Sequence, residues 1–356
     1  MKNIWLKIIK SWPWVIIGLV LLVLLLWPIL STKNDYKNKN SRMVVKIFNR
    51  TDNLLPLASS TEPVSENFSE NILIFGGDVM LSRTVNSKMI KYNDYTWPFK
   101  NIYPIFQKAD LAIANLESPF LVTDNYDVPS GSFSFKANPK SVAALSLAGF
   151  DVLSLANNHI LNQGAAGLAD TQKILDQAGI NYVGVTGHNL VVKDSHGLKF
   201  AFLSYTYAPE SKLIAFFPEA KQLSADILQA RQQADVVIVM MHAGTEYHRQ
   251  PNKQQTDFAH LAIDSGADLV IGTHPHWSQT VEEYRGKTII YSLGNLVFDQ
   301  MWSPETSVGL LAEIHFKGKN VDKINYIPIN IKDYGQVELM PAGSHQDFLL
   351  KSIGVK

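Results

Sequence analysis

Residues 266–299 read GADLVIGTHPHWSQTVEEYRGKTIIYSLGNLVFD, and the fold follows from how this stretch is parsed. Leu269 to Ile271 is a short branched apolar run, the length of a strand buried on both faces. His274 and His276 follow it at once, one residue apart, on the turn leaving the strand's carboxyl end. Open α/β sheets carry their chemistry at that end. A second strand is expected over Thr288 to Leu293, after a turn at Arg285 and Gly286, and it closes in a polar turn at Gly294 and Asn295. Two histidines so placed suggest a metal site whose other ligands come from elsewhere in the chain.

The composition sets the outer bounds. The chain has 356 residues, 46% of them hydrophobic, enough for one large domain and an accessory segment. Lysine plus arginine equals aspartate plus glutamate, 32 against 32, so no overall field draws it to nucleic acid. Cysteine is absent, which removes disulfides, thiolate ligands and a cysteine nucleophile.

Trp12 to Leu30 carries no charge and includes VIIGLVLLVLLLWPIL. At about 1.5 Å per residue such a helix nearly covers a hydrocarbon core of about 30 Å. Trp12, Trp14 and Trp27 stand near its ends, as interfacial aromatics do. A buried core helix would not be this long at a terminus. A cleaved signal peptide would have a shorter apolar run, although Ser31 could serve as the small residue before cleavage. An uncleaved anchor is the preferred reading, with 1–11 as a short cytoplasmic N-terminus. Lys2, Lys7 and Lys10 before the span nearly balance Lys33, Lys37, Lys39 and Arg42 after it, so loop charge does not decide orientation. Residues 31–70, rich in asparagine, lysine, serine and threonine, read as a stalk.

The domain is expected over 71–340, followed by a tail at 341–356. ILIFGGDVM from Ile72 gives a strand, a glycine turn and Asp78. Leu111 to Asn115 gives a second strand ending in Asn115 and Glu117. Asn138 and Pro139 start a helix that closes near Gly149. Val152 to Ala156 is a third strand, delivering Asn157, Asn158 and His159. A helix over Gly164 to Gly179 follows. Phe200 to Tyr205 and Val236 to Met241 are further strands around a helix near 223–234, and the second runs into His242 and Glu246. Asn252 to Ser265 is an amphipathic helix stopped by Gly266. Residues 308–340 alternate apolar and polar, the pattern of half-exposed antiparallel strands edging or covering a sheet. His188, His196, His248, His260, His315 and His345 are not close behind strands and are read as packing or surface residues.

Collected, the strand-end residues are Asp78, Asn115, Glu117, Asn158, His159, His242, His274 and His276, from five strands. Carboxylate, amide and imidazole ligands suit manganese, iron or zinc, and there are more of them than one tetrahedral ion needs. Two divalent ions, about 3.5–4 Å apart and bridged by a carboxylate, are the natural arrangement. His159 is then the candidate acid for a leaving oxygen, with Asn158 beside it as ligand. Asn157, Asn295, Asn115 and Glu246 are placed as substrate-binding or supporting residues. No GxxxxGK loop, no GxGxxG after a strand and no GxSxG elbow is present.

GDVMLSR, ADLAIANLESP, GFDVLSLANNH, MHAGTEY, GADLVIGTHPH and YSLGNLVF occur in that order between Ile72 and Asp299. In this the chain resembles the CapA, or poly-γ-glutamate capsule synthesis, domain, which is similar to the calcineurin-like metallophosphoesterases. The resemblance implies an α/β four-layer αββα sandwich of metallophosphoesterase type, preceded by one transmembrane helix with the domain outside the cell. It also implies a part in making or exporting an anionic capsule polymer beside membrane partners. It assigns Asp78, Glu117, Asn158, His242, His274 and His276 to the metals and His159 to acid catalysis. The chain departs from the family at Asn162, where aspartate is usual, at Ala243, where tryptophan is usual, and at Met80, where the phosphoesterases commonly place a metal-binding histidine. Losing that aspartate is expected to loosen His159, and Met80 to weaken one metal.

Two functions follow as expectations. One is an extracytoplasmic metal-dependent hydrolase or transferase acting on a phosphoester or on the polymer. The other is a membrane-anchored accessory protein that binds metal or polymer without turnover.

Overall fold

A computed structural model describes residues 70–207 and 211–355 of the chain. The expected N-terminus at 1–11, the span at 12–30 and the stalk up to residue 69 lie outside the described residues. Among those described, no helix is long and apolar enough to cross a membrane.

Among the described residues fourteen strands form two sheets. The chain opens with β1 (Glu70–Val79), β2 (Leu111–Leu116), β3 (Val152–Ser154) and β4 (Asn181–Val183), interleaved with α1 (Arg83–Tyr92), α2 (Tyr103–Phe106), α3 (Val142–Ala148) and α4 (Gly164–Ala178). A second run follows: β5 (Val191–Ser195), β6 (Leu198–Thr206), α5 (Ala220–Arg231), β7 (Val236–His242), α6 (Lys253–Asp264), β8 (Leu269–Thr273), β9 (Val281–Tyr284) and β10 (Lys287–Ile290). The chain closes with β11 (Asn295–Val297), β12 (Val308–Lys317), β13 (Asn320–Lys332), β14 (Gln336–Leu339) and α7 (Ser344–Ser352). The large sheet runs β14-β13-β12-β1-β2-β3-β4, with β11 also on β1, and the small one β5-β6-β7-β8-β10-β9. β1 to β4 are mutually parallel, and so are β6, β7, β8 and β10.

Strand alternation explains the layering. Leu73 and Phe75 of β1, Ile113 of β2 and Val152 of β3 share one apolar cluster with Phe200 and Phe202 of β6, Ile238 of β7 and Ile271 of β8. The alternate residues turn outward. Ile74, Ala112 and Leu153 pack under α1 to α4, while Ala201, Val237 and Val270 pack under α5 and α6. Because both faces of each central strand are covered, these strands read as continuous apolar runs. Each large side chain so enclosed contributes about 1.5–3 kcal/mol. The result is four layers, helix, sheet, sheet, helix.

Helix ends follow local chemistry. The Asn252 side chain accepts from Gln255 N while Gln255 Oε1 accepts from Asn252 N, a capping box that starts α6. Gly149 and Gly179 end α3 and α4 in the left-handed region.

Three expectations are revised. The second strand of the quoted stretch stops at Ile290, and Asn295 opens β11, which leaves the small sheet and pairs with β1 in register Asp78–Asn295. It is no surface turn, because Leu296 and Val297 are buried beneath the helices of the large sheet. Residues 308–340 do edge the large sheet, through β14, but β12 lies inside it. Long β1 pairs with β12 antiparallel, and Leu310, Ala312 and Ile314 point into the inter-sheet cluster. Residues 341–356 carry α7, whose Leu349, with Ile353 just past its end, is buried in that same cluster.

Candidate metal centre

Three of the parallel strands of the large sheet, β1, β2 and β3, and two of the small sheet, β7 and β8, end side by side. Gly77 allows this closeness: a Cβ there would stand 1.9 Å from the carbonyl oxygen of Gly294, whose oxygen accepts the Asp78 N–H at 3.0 Å. The large sheet contributes acids, amides and one imidazole, Asp78 from β1, Asn115 from β2 with Glu117 just after it, and Asn157, Asn158 and His159 after β3. The small sheet contributes imidazoles, His242 from β7 and His274 and His276 after β8. His274 at φ +100° and His276 at φ +58° both hold strained backbone, fixed in part by the His274 N–H donating to Asp78 Oδ2 at 3.2 Å.

All six residues assigned to metal are brought together. Ligand atoms of Glu117, His242 and His274 lie within 4.8 Å of one another, and so do those of Asp78, Glu117 and His276. The two triads share Glu117. His242 Nε2 is 2.9 Å from Asn158 Oδ1 and 3.1 Å from His274 Nδ1, which adds the amide to the first triad. Among the described residues no other group of acids and histidines is so arranged. His260 instead pairs with Glu282 at 3.0 Å, and His315 with Glu70 and Glu313.

Glu117 shows what the site lacks in protein partners. It is fully buried, and neither carboxylate oxygen has a hydrogen-bond donor. His242 Nε2, His159 Nε2 and His276 Nε2 surround Oε1 at 3.7, 3.9 and 4.0 Å. A buried carboxylate without donors is costly unless a cation neutralises it. The donors therefore fit a divalent cation, with Glu117, His242, His274 and Asn158 forming one group and Asp78, Glu117 and His276 the other.

The electrostatics without a cation match that need. Burial, with the Asp78 charge adding to it, pushes Glu117 well above the usual carboxylate range. Burial would raise Asp78 as well, but His276, His242 and the Asn115 amide outweigh it and hold Asp78 at about 2. Burial drives His242 well below the ordinary imidazole value, and brings His274, beside His276, down to about 4. Neutral imidazoles are the ligand form.

The remaining predicted residues support the ligands. Asn115 Nδ2 donates to Asp78 Oδ1 at 2.8 Å, and its Oδ1 accepts from Asn157 Nδ2 at 3.1 Å. Asn157 Oδ1 accepts from the N–H groups of His159 and Ile160, fixing the turn. Asn295 Oδ1 accepts from His276 Nδ1 at 2.9 Å, which leaves Nε2 facing Glu117. Glu246 is half-buried at the mouth, where its charge acts on Glu117, His159 and His274.

His159 is held by residues of unequal legibility. Its Nδ1 donates to Asn162 Oδ1 at 3.0 Å, and that oxygen also accepts from Phe135 N at 2.7 Å. An amide oxygen thus does the orienting work expected of an aspartate. The ring stacks on Phe135 at 4.0 Å, and burial lowers its pKa. Met80 is fully buried in the core, and its sulfur accepts from Ser82 N.

The reading by strand ends missed Arg83 and Asp299, a buried ion pair beside the site. The Arg83 guanidinium lies over Phe135 and Phe298, the rings that touch His159 and His276. Both residues end quoted motifs, GDVMLSR and the opening stretch, which was the available signal.

Residues 72–300 match the family described as bacterial capsule synthesis protein PGA_cap. The chain is similar to the capsule biosynthesis protein CapA of Bacillus anthracis, 31% identical over 323 residues covering 83% of this chain and 78% of that one. It is also similar to the PGA biosynthesis protein CapA of Bacillus subtilis (strain 168), 30% identical over 286 residues covering 76% and 75%. Among solved structures, a novel phosphatase from Mycoplasma pneumoniae has a TM-score of 0.49 at 17% identity, covering 75% of this chain and 96% of that one. That likeness is too distant to carry chemistry across.

Proposed function

This chain belongs to the bacterial capsule synthesis protein family PGA_cap, and from that premise we propose that it serves the assembly or export of an anionic capsule polymer, poly-γ-glutamate or a similar one, through a metal-dependent phosphoester hydrolase or transferase site. It is anchored by residues 12–30 as a single-pass membrane protein, with the domain extracytoplasmic and capsule-synthesis partners in the same membrane. The fold is of metallophosphoesterase type.

The observation that carries the site's chemistry is Glu117, buried without a donor and common to two ligand triads. Divalent manganese, iron or zinc bound there supplies Lewis acidity and a hydroxide near neutral pH. The chain's own residues do the rest. Asn115 and the His274 N–H orient Asp78. Asn295 turns His276 inward. His159, whose Nδ1–H is committed to Asn162, leaves Nε2 free to take up a proton from solvent, and as the imidazolium it would pass that proton to the leaving oxygen.

The test uses the full chain purified in detergent. Bound metal is measured by mass spectrometry, and phosphodiester hydrolysis is followed with manganese, iron and zinc. Two bound ions are expected, with His159→Ala retaining metal and losing turnover. Absence of both metal and hydrolysis would refute the proposal. Met80, which offers no imidazole, favours a second reading, an accessory protein that binds without turnover. In that case His159→Ala leaves polymer formation intact while removal of residues 12–30 abolishes it.

A further inference from the structure

Beside His276 the mouth of the site carries a pair of aromatic rings that no packing need explains. Tyr247 sits at φ +61°, uncommon for a non-glycine residue, with its N–H donated to Pro275 O at 2.9 Å between the two site histidines. Its ring lies 6.1 Å from that of His276, and Trp302 stands 6.1 Å beyond it at 78°, forming a corner. The indole is 62% exposed. It is nevertheless held in place. Ser303 Oγ accepts from Thr306 N and Ser303 O from Ser307 Oγ, which brace the turn after Trp302. A hydrogen-bonded chain ties this loop to the metal ligand: Gln300 Nε2 donates to the Tyr247 hydroxyl, Asn295 Nδ2 to Gln300 Oε1, and His276 Nδ1 to Asn295 Oδ1.

Chemistry narrows the occupant. Glu246, half-buried and next to Tyr247 in the chain, places a carboxylate beside the same ring, within hydrogen-bond reach of its hydroxyl. A run of carboxylates such as an anionic polypeptide meets repulsion there. A neutral ring does not. One with an apolar face stacks on an aromatic corner, and its hydroxyls donate to a carboxylate. We propose that Tyr247, Trp302 and Glu246 form a subsite for a sugar ring, so that the substrate class is a sugar phosphoester. The position of the phosphate rests on the function proposed above. The ring site rests on the aromatic corner and Glu246.

The test is ligand-observed NMR and calorimetry on the zinc-loaded full chain in detergent. The probes are glucose 1-phosphate, glycerol 1-phosphate, methyl glucoside and adenosine 5′-monophosphate. Glucose 1-phosphate is expected to bind about tenfold more tightly than glycerol 1-phosphate. Trp302→Ala removes that preference at unchanged metal content, and Trp302→Phe restores part of it. Equal binding of the two phosphates, or a preference indifferent to Trp302→Ala, overturns the inference. Tighter, Trp302-dependent binding of the adenosine ester overturns the assignment to a sugar, since a flat base would then be the occupant. Trp302-dependent binding of methyl glucoside by a chain that holds no metal and hydrolyses nothing sinks the proposed function alone. Metal binding and phosphodiester hydrolysis without any sugar preference sink this inference alone.

Discussion

Glu117→Gln is the most informative single change, because its effect should reverse sign with metal. In the metal-free chain the carboxyl is buried, has no donor and feels the charge of Asp78. Its folded-state pKa is raised, so the stability it contributes is fully present below the unfolded value of about 4.3 and is lost as pH rises through the folded value. At pH 7.5, with chelator present, removing that charge should stabilise the fold by about 1–3 kcal/mol, the usual cost of an unsatisfied buried polar group. For a domain of this size that is a rise of about 2–4 °C in melting temperature per kcal/mol. With metal at about 100 times its dissociation constant the wild type gains about 2.7 kcal/mol. The variant, lacking the shared ligand, gains little. Thermal melts of both proteins with chelator and with manganese or zinc decide the matter. A metal-free variant less stable than the wild type, or equal metal stabilisation of the two, would refute the argument that Glu117 is a cation ligand.

Gly77→Ala should cost about 3 kcal/mol by urea denaturation, because the new methyl meets the Gly294 carbonyl, which is backbone and cannot swing away. Arg83→Met should cost about 3–5 kcal/mol by leaving Asp299 buried and unpaired. Adding Asp299→Leu should recover most of that, and failure to recover would show that Arg83 matters through its rings alone. Asn162→Leu should lower phosphodiester turnover about 10- to 100-fold with metal content unchanged, while Asn162→Asp retains it.

Much of the arrangement was readable because covered strands leave a simple trace. Leu269 to Ile271 and Val236 to Met241 are apolar without interruption, Val152 to Ala156 is broken only by Ser154, and each runs into residues that a packed turn does not need. Asp78, Glu117, Asn158 and the histidines emerge from that pattern. What escaped it depends on partners distant in sequence. Asn295 looked like a turn because its pairing with Asp78 is made by the other sheet, 217 positions away in register with β1. The Arg83–Asp299 pair is equally remote, and a lone arginine beside a strand end resembles any surface residue. Helix α7 has little signature of its own, since SHQDFLLKS is short, and it is the inter-sheet cluster that buries Leu349.

The division of ligands between the sheets has a further consequence. Acids and amides come from the part of the chain before residue 160, imidazoles of both triads from the part after 240. Neither sheet can hold an ion by itself. An ion that binds therefore acts as a clasp between two sheets that also meet through the apolar cluster of Phe75, Ile113, Phe202 and Ile238. Metal affinity then becomes a gauge of how those faces mate. Substitutions deep in that cluster, far from any ligand, register at the site as a loss of the ion.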